Sequence, residues 1–216
     1  MSAPNETSES ATLAGLAARV AALEIKARAA ADYVAICNLQ AAYGYYVDKT
    51  LYGEAADLFA RDGRLEIAGR GLFIGQERVR HYLQQLPKLS FGTVFNHMQL
   101  QPVITIAPDG RSARGRWRAF IQIGWLDREA RWGEGTYENE YLREDGVWKI
   151  ASLHFFTTYY VEYDKGWNQG GVALAGPLAA AHPDAAPSVQ YQAFPSVFIP
   201  PYHYANPVTG RRFTEE

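Results

Sequence analysis

The sequence predicts an α+β fold in which a cone-shaped, curved antiparallel sheet packs on N-terminal helices. Two observations predict it. Apolar residues recur at three- and four-residue spacings near the start of the chain, as in amphipathic helices. The second half instead contains four long stretches with strand composition, separated by short turn sequences. Helices followed by such a meander are typical of α+β domains with the helices on one face of the sheet.

The N-terminal third is predicted to be helical after a short tail. Residues 1–10 lack an apolar period and predict a disordered tail. Helical spacing then covers residues 11–48, as two helices or one bent helix. Short elements follow up to Pro87, which ends the last of them: a helix over 54–59, a hairpin with arms 65–68 and 72–74, and a helix over 76–86.

The four long strands are predicted over 97–106, 112–126, 131–143 and 147–163. Together with the helices they make one domain over residues 11–165. Residues 166–216 are rich in Pro and aromatic residues, which argues against long regular elements but also against a solvated linker. We expect this C-terminal extension to be an irregular arm that packs on its own domain or on a partner subunit and helps to close a cavity mouth.

Composition excludes several classes of function. The net charge of −2 gives no electrostatic footprint for nucleic acid. No apolar run reaches the roughly 20 residues of a membrane helix, and the polar start does not resemble a signal peptide, so we expect a cytoplasmic protein without a membrane partner. The single cysteine and the five histidines show no metal-ligand spacing, and no glycine-rich phosphate loop is present. We therefore expect neither a metal nor a nucleotide cofactor.

The aromatic content is high, with 14 Tyr, 10 Phe and 5 Trp among 216 residues. Aromatic side chains supply large contact areas, and Tyr and Trp add a polar tip. This composition favours a pocket for a flat, hydrophobic aromatic small molecule.

The main catalytic candidates are Asp48, at the end of a predicted helix, and His97, at the start of a predicted strand. If the fold brings them together, the carboxylate orients the imidazole, and the pair can act as a general base. Tyr43, Tyr45 and Tyr46 would lie near it, although consecutive helical positions point about 100° apart and cannot all face one cavity. The alternative is an ordinary helix-end carboxylate and a core histidine.

Several motifs resemble those of the nuclear transport factor 2-like superfamily, and of its SnoaL-like branch in particular. The resemblance covers roughly residues 30–160. Its residues are Tyr43 with Asp48, Leu58-Phe59 before Asp62-Gly63, Gly75-x-Glu77-x-Val79, Asn96-His97, and the hairpin containing Tyr137, Asn139, Tyr141, Arg143, Asp145-Gly146, Trp148 and Ile150. The resemblance implies the cone-shaped fold, whereas function must be argued from the site, because this fold hosts many activities.

Within that superfamily, the chain resembles scytalone-type and bile-acid dehydratases most. That resemblance implies Asp48 and His97 as catalytic residues, with Tyr43 or Tyr45 as the hydroxyl donor. The surroundings of 132–137 and 154–156 also look similar to SnoaL-like lyases that release formaldehyde from lignin-derived diarylpropanes.

Further candidates for substrate binding lie on the predicted strands. Tyr137 and His154 are expected to face the cavity, His154 because it shares strand phase with Trp148 and Ile150. Arg118, Gln122 and Glu134 bind substrate if their face is interior. If it is exterior, they form a solvated stripe or a dimer contact.

The function expected from these observations is that of a cofactor-independent lyase acting on an aromatic molecule, by dehydration or by formaldehyde release from a diarylpropane diol. The alternatives are a ketosteroid-type isomerase or cyclase, and a non-catalytic binding or assembly module. The resemblance also implies a homodimer or a higher homo-oligomer that associates through the exposed sheet face.

Overall fold

The predicted order of elements is confirmed by the computed structural model, which describes residues 6–213. Each long strand begins and ends within a few residues of its predicted bounds. The helices and strands are α1 Glu6–Asp48, α2 Tyr52–Asp57, β1 Phe59–Ile67, β2 Leu72–Ile74, α3 Gln76–Gln84, β3 Thr93–Ile106, β4 Ser112–Trp125, β5 Glu129–Glu144 and β6 Val147–Glu162.

Helix α1 is one continuous helix of 43 residues. It includes residues 6–10, where the sequence predicted a disordered tail, and residues 1–5 lie outside the described part of the chain. Alanine is abundant in α1 and is the strongest helix former, which explains why the helix continues so far. The helix is exposed from Thr12 to Ala31, and burial against the domain begins at Asp32. In the described part of the chain, no helix combines the length and hydropathy needed to cross a bilayer.

The six strands form one curved sheet in the order β2-β1-β6-β5-β4-β3. Its pairs are antiparallel except for β1 and β6, which are parallel, so the sheet is mixed where the sequence predicted an antiparallel one. The exception follows from the path of the chain. The segment containing α3 carries the chain from the β1 side of the sheet to the far edge. The meander β3–β6 then brings the chain back, so that β6 lies beside β1 and parallel to it.

Strand β6 contains two irregularities that change which residues face the helices. Ile150 pairs with Tyr141 and Ser152 pairs with Glu140, so Ala151 is an extra residue. Thr158 is a second extra residue, because Thr157 pairs with Gly135 and Tyr159 pairs with Glu134. Because alternate residues of a strand face opposite sides, each extra residue reverses the alternation beyond it.

A chain of buried hydrogen bonds joins α1 to the sheet. The Gln40 side chain donates to Gln99 on β3 at 2.9 Å and accepts from Asn139 and Tyr141 on β5, at 2.9 and 2.7 Å. Trp117 on β4 donates to the Tyr141 hydroxyl at 2.8 Å. Such satisfied networks fix one arrangement of the elements that they connect. Here they set the position of α1 over β3.

The C-terminal arm packs on its own domain. Asp184 accepts hydrogen bonds from the Ile74 backbone and from Arg78, both at 2.8 Å. Beyond it, Ser188 donates from its backbone and hydroxyl to Glu66, both at 2.7 Å. Tyr202 lies under the guanidinium of Arg116, at 3.8 Å from the ring centroid. The arm therefore covers much of the outer face of the sheet, where the family resemblance implied a dimer contact.

Asp32 should contribute a pH-dependent part of the stability. Burial opposes its ionisation, but hydrogen bonds from Trp148, at 3.0 Å, and from Arg143 outweigh it and lower the pKa of Asp32. We predict that Asp32→Asn lowers the free energy of unfolding at pH 7 by about 2 kcal/mol. Because the pKa of Asp32 is lower in the folded protein than in the unfolded chain, its ionisation stabilises the fold at pH values above the unfolded-state pKa of about 3.9. This contribution is lost as the pH falls through the folded-state pKa.

Denaturant unfolding of both proteins between pH 3 and 7 measures this difference, which should shrink in the acid range. Asp145→Asn, at an exposed turn, is the matched control and should change stability little at any pH. If the difference in unfolding free energy between Asp32→Asn and wild type stayed constant down to pH 3, the Asp32 charge would not contribute to stability as assigned.

Candidate active site

A cavity of about 300 Å³ lies between the concave face of the sheet and the helices. Its volume is at the low end of the range typical of small-molecule sites. Most of its lining is aromatic or aliphatic, and it includes Tyr43, Tyr52, Tyr82, Phe95, His97, Ile121, Ile123, Trp125, Tyr137, Phe155 and Tyr160. The cavity therefore suits a compact molecule with at least one apolar ring.

Asp48 and His97 meet at the wall of this cavity. Asp48 Oδ1 accepts from the backbone N–H of His97 and lies 2.8 Å from its Nδ1, with both hydrogen bonds at 2.8 Å. Both side chains are largely buried. The carboxylate assigns the proton of the neutral imidazole to Nδ1, and Nε2 then carries the free lone pair. Nε2 has no hydrogen-bond partner within the described residues, so this pair is oriented as a general base.

Gly44 allows helix α1 to approach β3 closely enough for this contact. A Cβ atom at Gly44 would lie 3.0 Å from the carbonyl oxygen of His97 and 2.9 Å from Cγ of Gln99. Gln99 in turn donates to that carbonyl at 3.0 Å. Gly44 is therefore a point where α1 and β3 approach each other closely beside the dyad.

Tyr43 supplies a neutral hydroxyl beside the dyad. Burial raises its pKa well above the ordinary value, and the nearby charge of Asp48 adds to the rise. Tyr137 has its pKa raised mainly by burial too, although a hydrogen bond with Gln99 opposes the rise. Burial also raises the pKa of both Tyr52 and Tyr82 to about 12. All four are protonated at neutral pH. The Tyr52 hydroxyl donates to the Pro87 carbonyl, which leaves Tyr43, Tyr82 and Tyr137 to donate a hydrogen bond or a proton to substrate.

Of the sequence-predicted residues, Asp48 and His97 come together, and His97, Tyr43 and Tyr137 line the cavity. Tyr45 lies on the outer side of α1 and is 71% exposed. Tyr46 packs against the core without lining the cavity. The 100° step between consecutive helical residues accounts for this division.

Arg118, Gln122 and Glu134 lie on the outer face of the sheet, away from the cavity. Arg118 donates to Glu134 at 2.7 Å, and Gln122 accepts from Asn96 at 3.1 Å. Their strand neighbours on the opposite phase, such as Ile121, face inward. The sequence left open whether these three residues face the interior or the exterior, and the structure places them on the exterior face.

His154 also lies on the outer face, where the sequence predicted that it would face the cavity. The extra residue Ala151 reverses the alternation, so Ile150 and Phe155 face the helices while His154 does not. His154 Nε2 lies 3.5 Å from Glu66, and its ring stacks on Phe156 under the C-terminal arm. Burial lowers the pKa of His154, against the opposing effect of Glu66.

Several residues that line the cavity were not predicted from the sequence. Tyr160 faces inward only because of the second extra residue, Thr158. Arg70 follows β1 in a short 3₁₀ turn, and Arg131 lies on the inward phase of β5 together with Glu129. The cavity mouth is lined by arm residues 172–175. For Tyr160, the glycine at position 133 was the one available signal in the sequence, because a Cβ atom at Gly133 would lie 2.6 Å from the Tyr160 ring.

With regard to metals, the described residues contain no group of three or more His, Cys, Asp or Glu side chains that could hold an ion. The polar side chains that line the cavity are the dyad histidine, several tyrosines, Thr157, and the charged residues Arg70, Glu129 and Arg131.

A comparison with family models matches residues 28–154 to the SnoaL-like domain. The match covers more than half of the chain and includes both members of the dyad. The chain belongs to the SnoaL-like family. The resemblance seen in the sequence is thereby confirmed. A comparison with curated protein sequences found no match.

Solved structures of the same fold include proteins with catalytic names. A putative scytalone dehydratase from Novosphingobium aromaticivorans is 20% identical, with a TM-score of 0.59 over 71% of this chain and 97% of that one. The hexachlorocyclohexane dehydrochlorinase LinA-type3 from Novosphingobium barchaimii is 20% identical, with a TM-score of 0.56 over 63% and 93%. ActVI-ORFA from Streptomyces coelicolor is 14% identical, with a TM-score of 0.51 over 58% and 96%. At these identities the likeness shows the fold alone.

Replacing Gly44 by alanine separates helix propensity from helix–strand packing. Alanine favours a helix by about 1 kcal/mol over glycine. At Gly44 the added methyl group would press on the backbone of β3, so we predict that Gly44→Ala lowers the unfolding midpoint and displaces His97 from Asp48. Thermal unfolding measures the first effect, and a crystal structure of the variant measures the second.

Gly15→Ala is the matched control on the same helix, because apart from the adjacent residues and the backbone of α1 no atom lies within 4 Å of its Cβ position. It should leave the unfolding midpoint unchanged or raise it. If Gly44→Ala stabilised the protein as much as Gly15→Ala, the close approach at Gly44 would not constrain the site.

Proposed function

We propose that this protein is a lyase that eliminates water from a hydroxylated aromatic small molecule, with His97 as general base. The observation that carries the proposal is the 2.8 Å contact between Asp48 and His97 in the wall of an apolar cavity. An oriented imidazole in the wall of a mostly apolar cavity is well suited to remove a proton from carbon. The fold relatives named as a dehydratase and a dehydrochlorinase support testing eliminations first.

The reaction needs one base and one acid. His97 Nε2 takes a proton from the carbon beside the one that bears the hydroxyl group. The carbon–carbon double bond forms as the carbon–oxygen bond breaks, and the departing hydroxide takes a proton from Tyr43 and leaves as water. The Asp48 carboxylate stabilises the imidazolium that forms. Proton exchange with solvent then restores His97 and Tyr43.

The same groups can release formaldehyde from a diarylpropane diol. In that case His97 removes the proton of the primary alcohol, the adjacent carbon–carbon bond breaks to give formaldehyde, and its electrons form the double bond as the second hydroxyl leaves as water. This variant rests on the resemblance of the sequence around residues 132–137 and 154–156. It requires a two-ring substrate to fit a cavity of about 300 Å³.

Two other functions remain as outcomes of the test. An isomerase or cyclase would return a product of unchanged mass or one formed by ring closure, with the same dependence on His97. A binding module would hold its ligand without turnover, and His97→Ala would leave affinity largely intact.

The proposal is tested with a panel of aromatic alcohols and diols, by following the loss of water or formaldehyde by mass spectrometry. We expect Asp48→Asn and His97→Gln to lower kcat by about 100- to 10,000-fold, the range typical of lost general-base catalysis. Turnover by Asp48→Asn at the wild-type rate would rule out the dyad.

His154→Gln is a matched control, since this histidine also contacts a carboxylate but lies outside the cavity. We expect it to leave kcat unchanged. A loss equal to that of His97→Gln would indicate a general structural effect of replacing a paired histidine. Circular dichroism and the unfolding midpoint of each variant show whether the fold is retained.

A further inference from the structure

The cavity has a cationic end that the proposed elimination does not use. Arg70 and Arg131 line it together with Glu129, so this end carries two positive charges and one negative charge. Arg131 donates from Nη2 to Glu129 at 2.9 Å, but its Nε is buried and has no hydrogen-bond partner. Arg70 has no hydrogen bond or ion pair to any residue between 12 and 213. Buried donors without partners cost stability unless a ligand satisfies them.

Tyr160 marks the same end of the cavity. Burial and the neighbouring Tyr137 and Tyr82 raise its pKa, and the positive charges of Arg70 and Arg131 oppose that rise. This hydroxyl makes no hydrogen bond to another described residue. Tyr160 is in register with His97 across β6, β5, β4 and β3. Three strand spacings of about 4.8 Å place the two residues about 14 Å apart along the sheet.

We propose that Arg70, Arg131 and Tyr160 bind an anionic group of the substrate, a carboxylate in the simplest case. A carboxylate accepts two parallel hydrogen bonds from a guanidinium group and a third from a tyrosine hydroxyl. The substrate is then an aromatic acid whose apolar body spans the cavity and presents its reacting carbon to His97. The last point rests on the proposed function, whereas binding of the acid does not.

The test is calorimetric binding of a 3-arylpropanoate and of the alcohol of the same skeleton, neither of which can lose water from the position next to the ring. We expect the acid to bind about tenfold more tightly to wild type, and Arg70→Gln and Arg131→Gln each to remove most of that preference. Arg114→Gln, on the outer face, is the control and should retain it.

Equal affinity for acid and alcohol in wild type would overturn the anionic subsite. A preference that survives both Arg70→Gln and Arg131→Gln would overturn its location. Tight binding of the acid without turnover of any hydroxylated analogue would leave the subsite standing and count against the proposed lyase function.

A second, independent observation concerns the exposed half of α1. Leu13, Leu16, Val20, Leu23 and Val34 are between 49% and 67% exposed. With Ala27 and Ala30 they occupy alternating three- and four-residue spacings, the a and d positions of three heptads. A stripe of this kind is the seam of a coiled coil. It is about 33 Å long at 1.5 Å per residue.

The domain leaves this seam free. The residues of α1 that are buried against the domain begin with Asp32, Ile36 and Gln40, which occupy the f, c and g positions of the same heptads. Asp32 and Ile36 point away from the a/d stripe, and Gln40 lies beyond its end at Val34. A second helix can therefore pack on residues 13–34 without meeting these buried positions.

The charges beside the seam select the partner. Arg19 is a g position and Glu24 the following e position, and neither has an ion-pair partner in the described part of the chain. In a parallel pair of identical helices, Arg19 of one copy meets Glu24 of the other, twice by symmetry. An antiparallel pair would instead bring Arg19 near Lys26 of the other copy, which is repulsive.

The geometry points to a second copy of this chain as the partner, joined through a parallel coiled coil over residues 13–34. Light scattering after size exclusion should give twice the 24.1 kDa of one chain. The pair Leu16→Glu and Leu23→Glu should give monomers. The control pair Ala18→Glu and Ile25→Glu adds the same charge on the f positions, and should leave the dimer intact.

Orientation is tested separately. Arg19→Glu should weaken the dimer, and combining it with Glu24→Arg should restore it. In a Cys37→Ser background, Val20→Cys should oxidise to a symmetric disulfide dimer, as only a parallel pair allows. A wild-type monomer at micromolar concentration would overturn the proposal, and so would a dimer that survives Leu16→Glu with Leu23→Glu.

Discussion

The contact between the last turn of α1 and the start of β3 is the constraint on which the site depends. Gly44 removes the side chain that would hold the helix and strand apart, and the Gln40 network fixes their relative position. Only then can Asp48 accept two hydrogen bonds from His97. The same approach closes one side of the cavity, so the dyad and the pocket it serves arise from a single packing arrangement.

The sequence predicted the elements well because their signals are local. Turn sequences delimit β3–β6. Asp48 at a helix end and His97 near a strand start made a dyad possible, and the family resemblance selected it over an ordinary helix-end carboxylate and a core histidine. His154 could not be placed, because the extra residue Ala151 has no local signature and yet reverses the face of everything beyond it. The parallel pairing of β1 with β6 depends on the path of the whole chain, which no local pattern reports.

The high aromatic content serves two different surfaces. Inside, Phe95, Trp125 and Phe155 form the cavity wall. Outside, Phe156 packs with Tyr191 and Phe198 of the arm and joins it to the sheet. Composition alone assigned the aromatic excess to the pocket, whereas much of it holds the arm in place. A count of residues does not say which face of a strand they occupy.

The division of the cavity along the chain has a consequence for how its selectivity can change. The dyad lies within residues 28–154, the part matched by the family model, whereas Tyr160 and residues 172–175 of the mouth lie beyond it. Substitutions in this later stretch can reshape the entrance without touching Asp48 or His97. If this pair performs the proposed elimination, reactivity and substrate choice can be changed separately, and the arm is the segment to vary in directed evolution of new specificities.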